Sequence, residues 1–518
     1  FFMTKSKIQT VAVIDFGSQY TQLIARRIRE LNIYSKIFKH DISIDELIEN
    51  NVKSIILSGG PSSVYSKSSP KLNNKFLEMD IPILGVCYGL QLLIHNMGGK
   101  ISKGNIGEYG NAKIEHFSNN ILFGDVPDKI NVWMSHADKV VDVTNDWDII
   151  SISTNEIISA LCHKNKPFYG VQFHPEVTHT DFGKQILSNF LTKICRLEKN
   201  WTAENFIKDS IELIKNQVGD NEVICGLSGG VDSSVVATLL HKAIGEKSKA
   251  IFINHGLLRK NEVNDVLINL KSGLGININY LDQSDVFLEK LNKVVDPEKK
   301  RKIIGKQFVR SFESEISKYK NVEYLAQGTL YPDVIESGGS EQGPAVTIKS
   351  HHNVGGLPKD MKLKLLEPLR NLFKDEVREV GRKLGLSSMV VDRHPFPGPG
   401  LAVRIIGEIT KKRINILQEA DHIFMKILKE TNEYQKIWQA FCVLIPIKTV
   451  GVMGDSRTYD NLIALRAVTS SDGMTAGWYE FKPDILDKCS NEIVNKVRGV
   501  NRVVYDITSK PPGTIEWE

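Results

Sequence analysis

Short apolar runs alternate with amphipathic stretches over residues 10–195. Thr10–Phe16, Ser54–Leu57, Pro82–Val86 and Phe168–Gln172 read as strands, and Gln19–Leu31 and Gln91–Met97 as helices. Such alternation predicts βαβ units and a largely parallel sheet. A charged connection, 196–200, leads into an amphipathic helix at Trp201–Val218. The pattern then restarts with strands at Val223–Leu227 and Ala250–Asn254 and a helical periodicity from Val235 to Gly245. From about residue 396 the order changes to a helix, Ile414–Lys429, and strand-like runs at Ala440–Ile447 and Arg502–Ile507. The expected fold class is therefore α/β. Two doubly wound, mostly parallel-sheet domains are expected at 8–198 and 201–395, followed by a smaller α+β domain at 396–518. No internal repeat interrupts this order.

Composition narrows the class. The 518 residues suffice for several cores, and 41% hydrophobic with 25% charged residues is ordinary for a globular chain. No apolar run approaches the roughly 18–20 residues of a membrane span, so no membrane association is expected. The first apolar run ends at Asp15, which leaves no h-region of a leader and predicts a cytoplasmic protein. The six cysteines form no Cys-x-x-Cys pair, which fits a reducing compartment and excludes a zinc ribbon. A net charge of +5 is too mild to imply nucleic acid, and anionic small substrates account for it equally well.

The candidate chemistry begins at Ser228-Gly229-Gly230-Val231-Asp232-Ser233-Ser234, between the strand and helix of the second unit. Glycines admit close approach of an anion, and helix N-termini offer free N–H groups with a favourable dipole. One aspartate among hydroxyls suits a magnesium ion bridging phosphate oxygens. No lysine stands here, so the loop is not a Walker motif. It resembles the phosphate loop of the ATP pyrophosphatases, which implies ATP binding with Mg2+. A Gly/Ser-rich turn before a capped helix is the purely structural alternative.

Two further motifs fall at predicted strand ends of the first unit. Gly85-Val86-Cys87-Tyr88-Gly89 has the spacing of a nucleophile elbow with cysteine in place of serine. Phe173-His174-Pro175-Glu176 supplies a base that can activate the thiol and a carboxylate that can orient the base. Alone, a cysteine is usually a small hydrophobe and a His-Pro-Glu run a turn. Together and in this order they resemble the class I glutamine amidotransferases, as does Ser58-Gly59-Gly60-Pro61. That resemblance implies an oxyanion hole from the N–H groups of Gly59 and Tyr88. One such donor is worth about 10²–10³ in rate.

The remaining polar segments are less specific. The basic run Asp296–Gly305 reads either as a solvated helix face or as a mobile flap bringing cations to a nucleotide. His351 and His352 are adjacent, so in a strand they would point to opposite faces, which argues against a shared metal. Lys510-Pro-Pro-Gly-Thr-Ile-Glu-Trp-Glu518 has the composition of a frayed tail, but Trp517 between two glutamates suggests docking.

An amidotransferase joined to an ATP pyrophosphatase and ending in this tail resembles the glutamine-hydrolysing GMP synthases over nearly the whole chain. The resemblance implies XMP, ATP and glutamine as substrates, GMP, AMP, pyrophosphate and glutamate as products, and Cys87, His174 and Glu176 as catalytic residues. It further implies XMP binding by Arg301, Lys510 and Glu516, and a homodimer built by the last domain. One departure is Ala137 in Ser135-His136-Ala137-Asp138, where the family commonly has glycine. A tRNA-thiolating enzyme would want paired cysteines and a larger basic face. A non-catalytic regulator would not need Cys87, His174 and Glu176 together. An NAD synthetase usually carries a different glutaminase.

Overall fold

The computed structural model describes residues 8–117, 120–319, 321–336, 363–453, 456–470 and 475–518. The chain divides into two compact units, the first ending at Asn205 and the second beginning at Phe206. The expected 201–395 and 396–518 regions thus share one unit. One apolar core cluster spans both regions, joining Ile224, Ile253 and Phe312 to Leu417, Phe424 and Leu444.

The first unit holds one sheet of nine strands: β1 Thr10–Asp15, β2 Ser35–Lys39, β3 Val52–Leu57, β4 Ile83–Val86, β5 Lys100–His116, β6 Lys129–Asp142, β7 Trp147–Ser153, β8 Ile158–His163 and β9 Phe168–Val171. Their spatial order is β2-β1-β3-β4-β9-β8-β7-β5-β6. The first five are mutually parallel, and the rest pair antiparallel. β1 and β4 are near-continuous apolar runs, as strands buried on both faces must be. β6 instead alternates, turning Ile130, Val132, Met134 and His136 inward. The chain segments after β1, β3, β4 and β9 all leave the same, carboxyl edge of the parallel part, where sites in such sheets form.

The second unit carries β10 Glu222–Leu227, β11 Ser248–Asn254, β12 Ile278–Asp282, β13 Val322–Ala326 and β14 Lys364–Leu366 in a parallel sheet of order β12-β11-β10-β13-β14. Strand order reverses between β10 and β13, which opens a crevice beside the carboxyl end of β10. A further sheet pairs β15 Gln439–Met453 with β16 Ser456–Thr469 antiparallel, and β16 with β17 Gly477–Trp478 and, in parallel, β18 Val500–Asp506. Among the described residues no helix is long and apolar enough to cross a membrane.

One local expectation changes and two open readings narrow. The helix after β10 begins at Val231, not Val235. Asp232, Ser233 and Ser234 are its first turn, and their polarity hid the start from a hydrophobic periodicity. The basic run lies on a helix with one solvated face, where Glu298, Lys299 and Lys302 are exposed. It opens a 20-residue helix, Pro297–Ile316, capped by Asp296 Oδ1 accepting from the Lys299 N–H at 2.7 Å. Lys300 on that helix is fully buried, donating to the carbonyls of Ala402 and Ile405 and to the Glu518 carboxylate. The tail is docked: Trp517 Nε1 donates to Asp506 Oδ2 at 2.9 Å. His351 and His352 lie outside the described residues.

Candidate active site

At the end of β4 the chain turns sharply through Cys87, whose φ of +51° is one a side chain rarely adopts. The helix Tyr88–Asn96 follows immediately. The two flanking glycines are steric necessities. A Cβ on Gly85 would lie 2.6 Å from the backbone of Leu90, and one on Gly89 would lie 2.3 Å from the Leu57 carbonyl oxygen. Only glycine lets the helix press this closely on β3 and β4, and that contact is what holds the elbow.

β9 lies beside β4, and its continuation brings His174 to Cys87. Glu176 Oε1 stands 2.7 Å from His174 Nδ1, which leaves Nε2 for the thiol, with which the ring also shares a hydrogen bond. All three side chains are buried. Burial by itself pulls the imidazole pKa down. The hydrogen bonds to Cys87 and Glu176 and their negative charge outweigh it and push His174 up to about 10. Arg27 Nε donates to the Glu176 carbonyl at 2.9 Å, and Thr180 Oγ1 to the His174 carbonyl at 2.6 Å, so the backbone carrying the base is fixed as well.

Gly59 packs against this base: a Cβ there would meet His174 Cε1 at 3.3 Å. Tyr88 opens its helix, where a backbone N–H has no intrahelical acceptor. Around the sulfur the structure adds groups that sequence reading passed over. Gln172 Nε2 lies 3.7 Å from Sγ, and the thiol faces the Ser135 carbonyl at 3.7 Å. Gln91 donates to the Asp138 carbonyl at 2.7 Å and ties the helix to β6. Gln91 is one helical turn beyond Cys87, a spacing that could have flagged it.

The loop after β10 is a compact hydroxyl network. The Ser228 N–H donates to Ser233 Oγ at 3.2 Å, and Ser234 Oγ donates to the Gly230 carbonyl at 2.8 Å. Gly229 has φ +73°, where glycine is at ease. Ser234 and Val231 are buried and build the helix start, while Asp232 is only partly covered. Among the described residues no cluster of three or more His, Cys, Asp or Glu could hold a metal. One carboxylate beside a Gly/Ser loop is nevertheless a donor set magnesium accepts when a bound anion supplies further oxygens.

Of the expected XMP residues, Lys510 pairs its backbone with Ala476 and lines a cleft with Thr469, Ser470, Thr475 and Gly477. Arg301 donates to the main-chain oxygen of Glu518. Glu516 accepts two hydrogen bonds from Arg404, at 2.8 and 3.0 Å, and one from Gln439 at 2.7 Å. Arg404 is fully buried between Phe441 and Phe396, 4.1 and 5.0 Å from their ring centroids.

Comparison with known proteins divides the chain in the same order. The family "Glutamine amidotransferase class-I" matches residues 12–194, "NAD synthase" residues 202–309, and "GMP synthase C terminal domain" residues 426–517. A GMP synthase [glutamine-hydrolyzing] of Aquifex aeolicus is 53% identical over 508 residues, 98% of this chain and 99% of its own. One of Thermosipho melanesiensis is 54% identical over 515 residues, 99% of this chain and 100% of its own. Among solved structures, a glutamine amidotransferase from Thermotoga maritima matches at 20% identity over 40% of this chain and 84% of that one, with a TM-score of 0.27.

Proposed function

The chain belongs to the glutamine-hydrolysing GMP synthases, and from that premise we propose which residues carry each half of the reaction. The protein makes GMP in an ATP-using reaction with glutamine as nitrogen donor. In the first half, the Cys87 sulfur attacks the carboxamide carbon of glutamine. The N–H groups of Gly59 and Tyr88 stabilise the oxyanion. His174, held in one tautomer by Glu176, gives its proton to the departing nitrogen, so ammonia leaves and a thioester remains. The imidazole then takes a proton from water, whose oxygen attacks the thioester, releases glutamate and returns the thiolate.

In the second half, the Ser228–Ser234 loop holds the phosphates of ATP. The O2 oxygen of XMP attacks the α-phosphorus and pyrophosphate leaves. Ammonia then displaces AMP at C2 to give GMP. An amide oxygen is a poor leaving group and an adenylate a good one, which is why ATP is spent first. Magnesium, when bound with ATP, neutralises charge on the phosphate oxygens, and Asp232 would hold it. Arg301, Lys510 and Glu516 bind XMP. Ammonia is mostly protonated in neutral water, so its transfer calls for a path closed to bulk solvent.

The division of labour implies an amidotransferase domain at 8–198, a doubly wound ATP pyrophosphatase domain at 201–395 and an α+β dimerisation domain at 396–518, in a cytoplasmic homodimer. Support for the dimer is an exposed apolar strip on the β15–β16 hairpin: Ile447, Val450, Val452 and Tyr459. The observation that carries the whole reading is the buried Cys87-His174-Glu176 constellation, in one chain with a Gly-Gly loop at a parallel-sheet switch point. The test is formation of AMP and GMP from XMP, ATP-Mg and glutamine, with IMP, deamido-NAD or aspartate offered in place of XMP. Turnover with XMP alone is expected. Turnover with deamido-NAD and no GMP would overturn the assignment.

A further inference from the structure

Arg393 belongs to none of the residue sets above, yet its guanidinium reaches the ATP loop. Its side chain is only 15% exposed. Nη1 donates to the Gly229 carbonyl at 2.8 Å, and Nη2 donates to Glu262 Oε1. Glu262 is itself buried, and its other oxygen accepts the Arg259 N–H at 2.8 Å. The guanidinium carbon lies 5.4 Å from the centroid of the Phe396 ring, and the Arg393 carbonyl accepts from Arg378 at 3.1 Å. The fork is thus held by three partners, Gly229, Glu262 and the Phe396 ring, with one arm aimed at a loop carbonyl.

That carbonyl matters because of what flanks it. The Gly229–Gly230 peptide has no side chain on either side, so little besides hydrogen bonding resists rotation of its plane. In a trans peptide the C=O and N–H point in opposite directions. With the Gly229 oxygen held by Arg393, the Gly230 N–H turns into the loop, where it meets Ser228 Oγ at 3.4 Å. A flipped peptide would present a carbonyl oxygen to the phosphates in place of a donor, replacing attraction by repulsion.

We propose that Arg393 is a positioning residue for the phosphoryl-transfer half-reaction: it locks the Gly229–Gly230 peptide so that the Gly230 N–H faces the nucleotide phosphates. Arginine is required because the fork bonds a carbonyl and a carboxylate in two directions at once, which a lysine ammonium cannot reproduce in the same plane. This rests on assigning Ser228–Ser234 to ATP.

The test uses the full-length enzyme with ammonium salts as nitrogen donor. Arg393→Ala should lower kcat/KM for ATP on the order of ten- to a hundredfold, the range for loss of one charge-assisted hydrogen bond. The KM for XMP should move less than about threefold. Millimolar guanidinium ion should restore part of the loss, and Arg393→Lys should remain impaired. Glu262→Gln, which keeps the shape and weakens the anchor, should show a smaller loss in the same parameter, and it carries the test if Arg393→Ala does not fold. The proposal is overturned if kcat/KM for ATP stays within about threefold of wild type in these variants, or if ATP and XMP parameters fall together without rescue. Asp232→Ala separates the underlying assignment. If that variant keeps ammonia-driven synthesis, the loop is not the ATP site. If it is inactive, the Arg393 results bear on the peptide alone.

Discussion

Replacing Glu516 by alanine should cost stability as well as XMP affinity, and the stability loss can be worked from the packing of its partner. Arg404 has no exposed side-chain surface, and Glu516 is 18% exposed. Removing the carboxylate leaves a buried guanidinium without its counter-ion, a change that costs about 3–5 kcal/mol for a fully buried pair. Arg404 Nη1 already lacks a hydrogen-bond partner among the described residues, so the guanidinium has little reserve. The partial exposure of Glu516 admits water to the vacated site, which places the estimate near the lower end, about 3 kcal/mol. In a unit running from Phe206 to Glu518, each kcal/mol shifts Tm by about 2 °C, so a fall of about 6 °C is expected. Glu516→Gln keeps acceptor and shape and should lose less. Lys510→Ala, at a cleft edge, should shift Tm by no more than about 1 °C while raising the KM for XMP. Differential scanning calorimetry with parallel XMP titrations reads both quantities. A Glu516→Ala Tm within about 1 °C of wild type would refute the argument that Arg404 depends on this carboxylate.

Other expectations separate the two half-reactions. Cys87→Ala should abolish glutamine-dependent synthesis and leave synthesis from ammonium salts, and loss of both would make Cys87 structural. Asp232→Ala should abolish both routes, measured as AMP formation, because magnesium and the leaving pyrophosphate lose a ligand. His174 is pushed up to about 10 by Cys87 and Glu176 against the opposing effect of burial, so the folded state holds a proton that the unfolded chain releases near ~6.5. Its stabilisation is complete below ~6.5 and is lost as pH rises toward 10, so the first unit's Tm should fall across that window. Glu176→Gln should flatten that fall, and an unchanged slope would count against the ion pair. Sedimentation should find a species of twice the 58.2 kDa chain at micromolar concentration, and a monomer alone would count against the hairpin strip as an interface.

What could be read from the chain was chemistry contiguous in sequence. The Gly-x-Cys-x-Gly elbow, the His-Pro-Glu turn and the Ser228–Ser234 loop each lie within a few residues, because a strand end and a helix start place neighbours together. The glycines at 85 and 89 were legible as a motif, but their cause, the Leu90 and Leu57 backbones, is a long-range contact. Buried ion pairs were invisible for the same reason. Lys300 looked like part of a solvated charge run, yet it is 218 positions from Glu518. Arg404 and Glu516 are 112 apart. The long β5–β6 hairpin escaped because its strands alternate with polar residues and carry no continuous apolar run. The helix start at Val231 escaped because its first turn is polar, and that turn is the proposed phosphate site.

The hydrogen bonds of Glu516 also limit what it can do for a substrate. An ionised carboxylate has about four lone-pair positions. Oε1 accepts from Arg404 Nη2 and Gln439 Nε2, which fills it, and Oε2 accepts from Arg404 Nε. One acceptor position on Oε2 remains among these contacts, so Glu516 can take a single donor from XMP without giving up a protein bond. A charge-assisted bond of this kind is worth about 1.5–3 kcal/mol, or about ten- to over a hundredfold in binding. Any larger loss of XMP affinity in Glu516→Ala would therefore report the collapse of the Arg404 site rather than a lost substrate contact. Glu516→Gln keeps the shape and one acceptor oxygen but sets an NH2 against an N–H donor of Arg404, so the calorimetric shift read beside the XMP titration is what separates these causes. Arg404, Gln439 and one substrate donor would then account for every lone pair of this carboxylate.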